Sequence, residues 1–142
     1  NILVINGPNI NMLGIREPGI YGKQTFQDLL KLLDETAAEM GIAITQYQSN
    51  HEGDLVDTIQ QALGKYDGIV INPAAYTHTS VAILDALKAV DIPAVEVHIS
   101  NVYKREAFRH TSVITPVCTG EILGLGLQGY YLALDALKEM CK

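Results

Sequence analysis

A chain of 142 residues, 48% of them hydrophobic, can bury one sizeable core but is too short for two ordinary domains, so a single domain over 1–142 is expected. Its formal net charge of −6 sets most of the surface against polyanions, which argues against nucleic acid or an anionic membrane as partner and requires a local basic pocket for any bound anion. The only cysteines, Cys118 and Cys141, stand in no Cys-x-x-Cys or Cys/His cluster, so neither a disulfide framework nor a metal site is expected, and both read as ordinary thiols of a reducing compartment.

No apolar run reaches the about 18 residues that span a bilayer, and the first residues carry no basic stretch followed by a signal-type apolar segment. A cytoplasmic location is the expectation. The chain opens on Asn1 rather than Met, so that expectation covers only the residues present.

In chain order, Ile2-Leu3-Val4-Ile5 is a continuous aliphatic run stopped by Asn6-Gly7-Pro8-Asn9, the pattern of a strand buried on both faces. From Thr25 to Met40, Phe26, Leu29, Leu30, Leu33, Ala37 and Met40 recur at helical spacing, with Thr25 as N-cap and Gly41 at the stop. Ile42 to Tyr47 alternates as a strand, and Leu55, Ile59, Ala62 and Leu63 mark a helix ending near Gly64. Gly68-Ile69-Val70-Ile71 is a third strand, followed by a helix from about Ser80 to Val90 and a fourth strand at Ala94-Val95-Glu96-Val97-His98. Asn101 to Thr111 reads as a polar, basic loop or short helix, Ser112 to Val117 as a fifth strand, and Leu127 to Met140 as the closing helix. Strands alternating with helices at these intervals predict βαβ units: an α/β, flavodoxin-like three-layer sandwich around a five-stranded parallel sheet. Ligands of such sheets sit outside the carboxyl ends of the strands, so chemistry is expected after strands one, three and four.

The connection from Gly7 to Gly22 exceeds the about 12 residues common in compact domains, as active-site lids do. It carries Arg16 and Tyr21; a guanidinium beside a phenol favours the phenolate, a base, and the alternative is a solvated charge and a loop anchor. Glu96 and His98, two apart on a strand, share a face, where a carboxylate can fix an imidazole's tautomer for acid or base work. The alternative is a structural ion pair, but the pair runs directly into Ile99-Ser100-Asn101 at the expected rim. Asn72 and His78 flank small residues and offer the donors and acceptors that a hydroxylated ring needs, or are simply turn residues. Arg105 and Arg109, four apart, would share a helix face and supply the local positive charge, unless they form a solvated basic face. Gly124 to Gly129 satisfies G-x-G-x-x-G, but the chain ends before the βαβ return and the acidic residue that a dinucleotide site needs, so these glycines read as turn and close-packing residues.

Taken together, Gly7-Pro8-Asn9, Arg16-Glu17-Pro18 with Tyr21-Gly22, Asn72-Pro73-Ala74-Ala75 with Thr77-His78-Thr79-Ser80, Glu96 to Asn101, Arg105-Glu106, Phe108-Arg109-His110 and Gly124 to Tyr130 closely resemble the type II 3-dehydroquinate dehydratases, in order and over nearly the whole chain. The resemblance implies a hydro-lyase that converts 3-dehydroquinate to 3-dehydroshikimate and water through an enolate, with no cofactor and no metal. It implies Tyr21, activated by Arg16, as the base; Asn9, through an ordered water, as the enolate stabiliser; and His98, oriented by Glu96, as the acid. Asn72, His78, Ile99, Ser100 and Arg109 match the family's substrate-binding positions. The family is similar in assembling as trimers grouped into dodecamers, with Asp85 matching an acidic residue presented to a neighbour's site; Leu84 departs from the Arg of many relatives and alters the salt bridges expected at that contact. Two other readings of the fold fit less well: an FMN or phospho-ligand module would want Ser or Thr in Gly7 to Asn11, and a signalling receiver would want Asp where Asn72 stands.

Overall fold

The computed structural model describes residues 1–15 and 17–141. Five strands, β1 (Ile2–Asn6), β2 (Ile44–Gln48), β3 (Gly68–Asn72), β4 (Ala94–His98) and β5 (Gly120–Leu123), form one sheet in the order β2-β1-β3-β4-β5, with every neighbouring pair parallel. The helices are α1 (Pro18–Tyr21), α2 (Phe26–Met40), α3 (Glu52–Gln61), α4 (Val81–Val90) and α5 (Gln128–Met140).

Alternation along β1 divides the core. Ile2 and Val4 pack with Leu29 and Leu33 of α2 and Leu134 and Leu137 of α5, whereas Leu3 and Ile5 pack with Leu55 and Ile59 of α3 and Ile83 and Leu87 of α4. Every residue of β1, β3 and β4 is buried, which is why β1 and β3 read as apolar runs, while β4 buries Glu96 and His98 among its apolar residues. The expected three-layer sandwich is therefore the observed one.

Helix starts follow from local chemistry. Thr25 Oγ1 accepts the Asp28 N–H at 3.1 Å while the Asp28 carboxylate accepts the Thr25 N–H at 2.9 Å, a reciprocal box that satisfies two donors the first turn of α2 would otherwise orphan. Ser80 Oγ accepts the Ile83 N–H at 3.0 Å to open α4.

The fifth strand lies elsewhere than expected. Ser112 Oγ accepts the N–H groups of Ile114 and Thr115 at 3.1 and 3.0 Å and Pro116 has no N–H to give to a ladder, so Thr115–Val117 coils into a 3-10 turn. β5 follows at Gly120–Leu123, entered by the Thr119 N–H on the Ala94 carbonyl at 2.7 Å. The G-x-G-x-x-G segment does make the turn into α5: Gly124 and Gly126 hold φ of 84° and 63°, and a Cβ on Gly129 would sit 3.3 Å from Val97 Cγ1. No helix among the described residues is long and apolar enough to cross a membrane.

Candidate active site

Because β2 and β3 flank β1, the connections leaving β1 and β3 diverge to opposite sides and leave a crevice at their carboxyl ends. An open cleft of about 500 Å³, counting its solvent-open mouth, lies there. Asn9 and Tyr21 from the first connection, Asn72 and His78 from the end of β3, and His98, Ile99 and Ser100 from the end of β4 face it, together with Arg105 and Arg109. Glu96 lies directly beneath His98, fully buried. One of the expected residues is not brought in: Asp85 is exposed on α4, outside the cleft of its own chain; Arg16 lies outside the described residues.

Tyr21 closes α1 at the cleft, and its hydroxyl receives a hydrogen bond from Arg105 Nη1 at 2.6 Å. The Arg105 guanidinium carbon also lies 5.1 Å from the Tyr21 ring centre. Among the described residues, the cation on the phenol is thus one that sequence spacing pairs with Arg109 instead. Arg105 and Arg109 share no α-helix: Arg105 follows one 3-10 turn (Val102–Lys104) and Arg109 sits in the next (Ala107–His110), because each segment is too short and too polar to bury a helical face. Arg105 Nε is buried with no partner among the described residues, a donor still to be satisfied. Arg109 Nε donates to the Glu106 carboxylate at 2.5 Å, and that hydrogen bond holds the exposed Glu106 carboxyl below its ordinary value.

The Glu96 carboxylate touches His98 Nε2 through Oε2. Oε2 also accepts from Thr77 Oγ1 at 2.5 Å, and Oε1 from Thr115 Oγ1 at 2.7 Å. Burial alone would push this carboxyl up, but the His98 hydrogen bond and charge, with the two threonine hydroxyls, outweigh it and hold Glu96 below the ordinary value. An ionised Glu96 fixes the proton on His98 Nε2, leaving Nδ1 as the nitrogen with no protein hydrogen bond among the described residues. In His78 the roles are also set: Nδ1 faces the Thr111 carbonyl at 2.8 Å, a group that only accepts, so Nδ1 bears a hydrogen and Nε2 of the neutral ring is left as an acceptor.

Two polar groups missed by sequence reading hold the floor. The Tyr130 hydroxyl, wholly buried, donates to Asn6 Oδ1 at 2.6 Å and accepts from Asn72 Nδ2 at 2.8 Å, while Asn72 Oδ1 accepts the Ala74 N–H at 3.1 Å. Asn72 therefore has its amide orientation fixed, with one N–H left over. Burial pushes the Tyr130 hydroxyl up, with the Asn72 bond opposing it, so it stays a neutral strut. Tyr130→Phe is expected to lower unfolding stability by about 2 kcal/mol, by orphaning buried partners on Asn6 and Asn72, and to raise KM more than it lowers kcat; urea unfolding and steady-state kinetics measure the two.

Among the described residues, one group of His, Cys, Asp or Glu brings its ligand atoms within 4.8 Å of one another, Glu96, His98 and Glu121. Glu96 Oε2 already takes two hydrogen-bonding partners and Oε1 a third, so the group is an array that shares protons rather than an open coordination sphere.

A phenol on a guanidinium and an imidazole on a buried carboxylate, facing one cleft at the carboxyl edge of a parallel sheet, mark a candidate active site. Comparison with known proteins gives the family. The model of the family Dehydroquinase class II matches residues 1–138. The 3-dehydroquinate dehydratase of Lachnoclostridium phytofermentans is 61% identical over 140 residues, 98% of this chain and 97% of that protein. That of Acaryochloris marina is 60% identical over 137 residues, 96% and 92% of the two chains. The crystal structure of a type II dehydroquinase from Butyrivibrio crossotus superposes with a TM-score of 0.95 at 55% identity, covering 96% of each chain. The chain belongs to the class II dehydroquinase family, and it is an enzyme of that family, as the sequence resemblance implied.

Proposed function

We propose that this protein dehydrates 3-dehydroquinate to 3-dehydroshikimate, acting as one catalytic domain over residues 1–142. The observation that carries the reading is the pair of proton-handling groups, Tyr21 on Arg105 and His98 on Glu96, facing a single cleft. Deprotonation beside a ketone followed by loss of water needs a base, a stabiliser of the enolate and an acid.

In the first step the Tyr21 phenolate takes the proton from the carbon next to the ketone, and the C–H electron pair becomes the enolate. The Arg105 guanidinium donates to the Tyr21 oxygen at 2.6 Å, beside the activating role the resemblance implies for Arg16. Asn9, through a water, stabilises the enolate oxygen; the residue lines the cleft and its backbone is anchored there by its N–H on Asn50 Oδ1 at 2.9 Å. In the second step the enolate re-forms the ketone and the C–C double bond as the C–O bond breaks, and His98, entering the step as the imidazolium with protons on both nitrogens, gives its Nδ1 proton to the departing hydroxyl, forming water and leaving the neutral Nε2–H ring. Glu96 stays ionised beneath and balances the imidazolium. Asn72, His78, Ile99, Ser100 and Arg109 bind the ring hydroxyls and carboxylate, Arg109 and the amides near Ser100 meeting the carboxylate.

The reaction serves shikimate-pathway biosynthesis of aromatic amino acids or quinate breakdown in the cytoplasm. Asp85, outside its own chain's cleft, accords with service to the cleft of a neighbouring copy in trimers that build a dodecamer. The test is incubation of the chelator-treated protein with 3-dehydroquinate, followed by the ultraviolet absorbance of the conjugated enone. Sustained absorbance growth supports the reading, and none from a folded, assembled protein removes it.

A further inference from the structure

Glu121 has no part in the chemistry above, yet it lies against it. In the register of β4 and β5, Glu96 stands directly opposite Glu121, so the two carboxyls share one face of the sheet. Two ionised carboxylates in such a pair repel. Glu121 is mostly covered, its side chain 18% exposed, and its Oε2 lies 3.9 Å from His98 Nε2. It borders a second cleft behind His98, shared with Thr77, Ser112 and Thr115.

The decisive atom is Thr115 Oγ1, which lies 2.7 Å from Glu96 Oε1 and 3.0 Å from Glu121 Oε2. A threonine hydroxyl carries one hydrogen and so can donate to one of them. Given to Glu96, at the shorter distance, it leaves a lone pair toward Glu121, and that contact is a hydrogen bond only when Glu121 carries a proton of its own. The other side of Glu96 repeats the arrangement: Thr77 Oγ1 donates to Oε2, and Ser112 Oγ, 2.6 Å from Thr77 Oγ1, is the hydroxyl left to donate to it.

We propose that Glu121 is a positioning residue that works in its protonated form, donating to Thr115 so that Thr115 donates to Glu96 and holds it ionised against His98. No bond to substrate is involved. Burial, then the charge of Glu96, pushes the Glu121 carboxyl up, with the Thr115 hydrogen bond and the His98 charge opposing and outweighed. The other titratable groups facing it are His98, Cys118, whose thiol burial and the Glu96 and Glu121 charges push up to about 12, and, across the second cleft, His78, Tyr103, Arg109 and His110. Arg109 is engaged by Glu106 and Cys118 stays a thiol at neutral pH, so Glu96 and His98 are the dominant neighbours. A carboxyl raised in the folded state contributes stability fully below its ordinary value and loses it as pH rises through the raised native value.

The kinetic part of the test rests on the dehydratase reading, and the spectroscopic part does not. With glutamate δ-carbons labelled, carbon NMR of the whole protein is followed from about pH 4 to about pH 9 in wild type and Glu121→Gln. A carboxyl that titrates above the ordinary glutamate value of about 4.3 and vanishes in Glu121→Gln is expected; a vanishing resonance that titrates at or below that value overturns the proposal. In kcat against pH, the Gln variant, whose amide still donates to Thr115, is expected within about twofold of wild type at neutral pH and without the loss that wild type shows as this carboxyl ionises. Glu121→Ala is expected to lose about tenfold in kcat at unchanged KM, the effect of one unmade charge-linked hydrogen bond. Wild-type kcat in Glu121→Ala overturns the proposal. An inactive wild type removes the dehydratase reading, while the NMR titration still decides the proton on Glu121.

Discussion

Tyr21→Phe is expected to lower kcat about a thousandfold, within the about 100- to 10,000-fold contributed by a positioned general base, while KM changes by less than about threefold. The substitution is nearly isosteric. The ring keeps its place beneath the Arg105 guanidinium, 5.1 Å away, and only the oxygen that receives the Arg105 Nη1 hydrogen bond at 2.6 Å is lost. The binding groups proposed for the substrate include Asn72, His78, Ile99 and Ser100 after β3 and β4, which the substitution does not touch, so the loss is expected on the chemical step. Steady-state rates of enone formation measure it, and a variant that keeps more than about a tenth of wild-type kcat contradicts Tyr21 as the base.

The second large effect is expected from Glu96→Gln, about a hundredfold in kcat with KM little changed. An amide fits the same volume but carries no charge to balance an imidazolium, and its N–H₂ must turn toward His98 or toward a threonine hydroxyl that is already donating to this position. The change also alters stability against pH. Glu96 is held below its ordinary value when folded, so its contribution is fully present above the unfolded value and lost as pH falls through the lowered native one. The Gln variant is expected to lack that portion of acid destabilisation. Urea unfolding at several acidic pH values, beside the rate assay, measures both; equal kcat in the variant contradicts a role for the Glu96 charge.

Much of the fold is legible in local pattern because the local chemistry is complete in itself. Ile2-Leu3-Val4-Ile5 and Gly68 to Ile71 announce strands buried on both faces, and Thr25 announces a helix start, which the structure completes with Asp28 as a reciprocal box. Glu96 and His98 share a face by the period of a strand alone, so the chain itself discloses that pair. The fifth strand is hidden. Ser112 to Val117 is rich in β-branched residues as a strand is, but the Ser112 hydroxyl ties its own downstream backbone into a turn, a local competition that composition does not register.

The displaced strand conceals Glu121 as well, since nothing but the pairing of β4 with β5 sets it opposite Glu96. The contact of Tyr21 with Arg105 spans 84 residues, and the Tyr130 hydroxyl reaches Asn6 across 124. Neither separation has a periodic signature. The order of strands in the sheet carries both, by bringing the ends of β1, β3 and β4 to one edge. The family resemblance supplies most of the cleft's residues, but it names Arg16 as the cation for Tyr21, and the geometry adds Arg105.

The central claim is that two different groups handle the two protons, with an enolate between them, and isotope exchange tests it most directly. Wild type, Tyr21→Phe and Glu96→Gln are each incubated with 3-dehydroquinate in D₂O, and the recovered substrate is analysed for deuterium on the carbon beside the ketone. The account predicts that Glu96→Gln, with its base intact and its acid impaired, returns labelled substrate faster than it forms product, whereas Tyr21→Phe returns it unlabelled. Label in the Tyr21→Phe substrate, with none in that of Glu96→Gln, would contradict the assignment of base and acid.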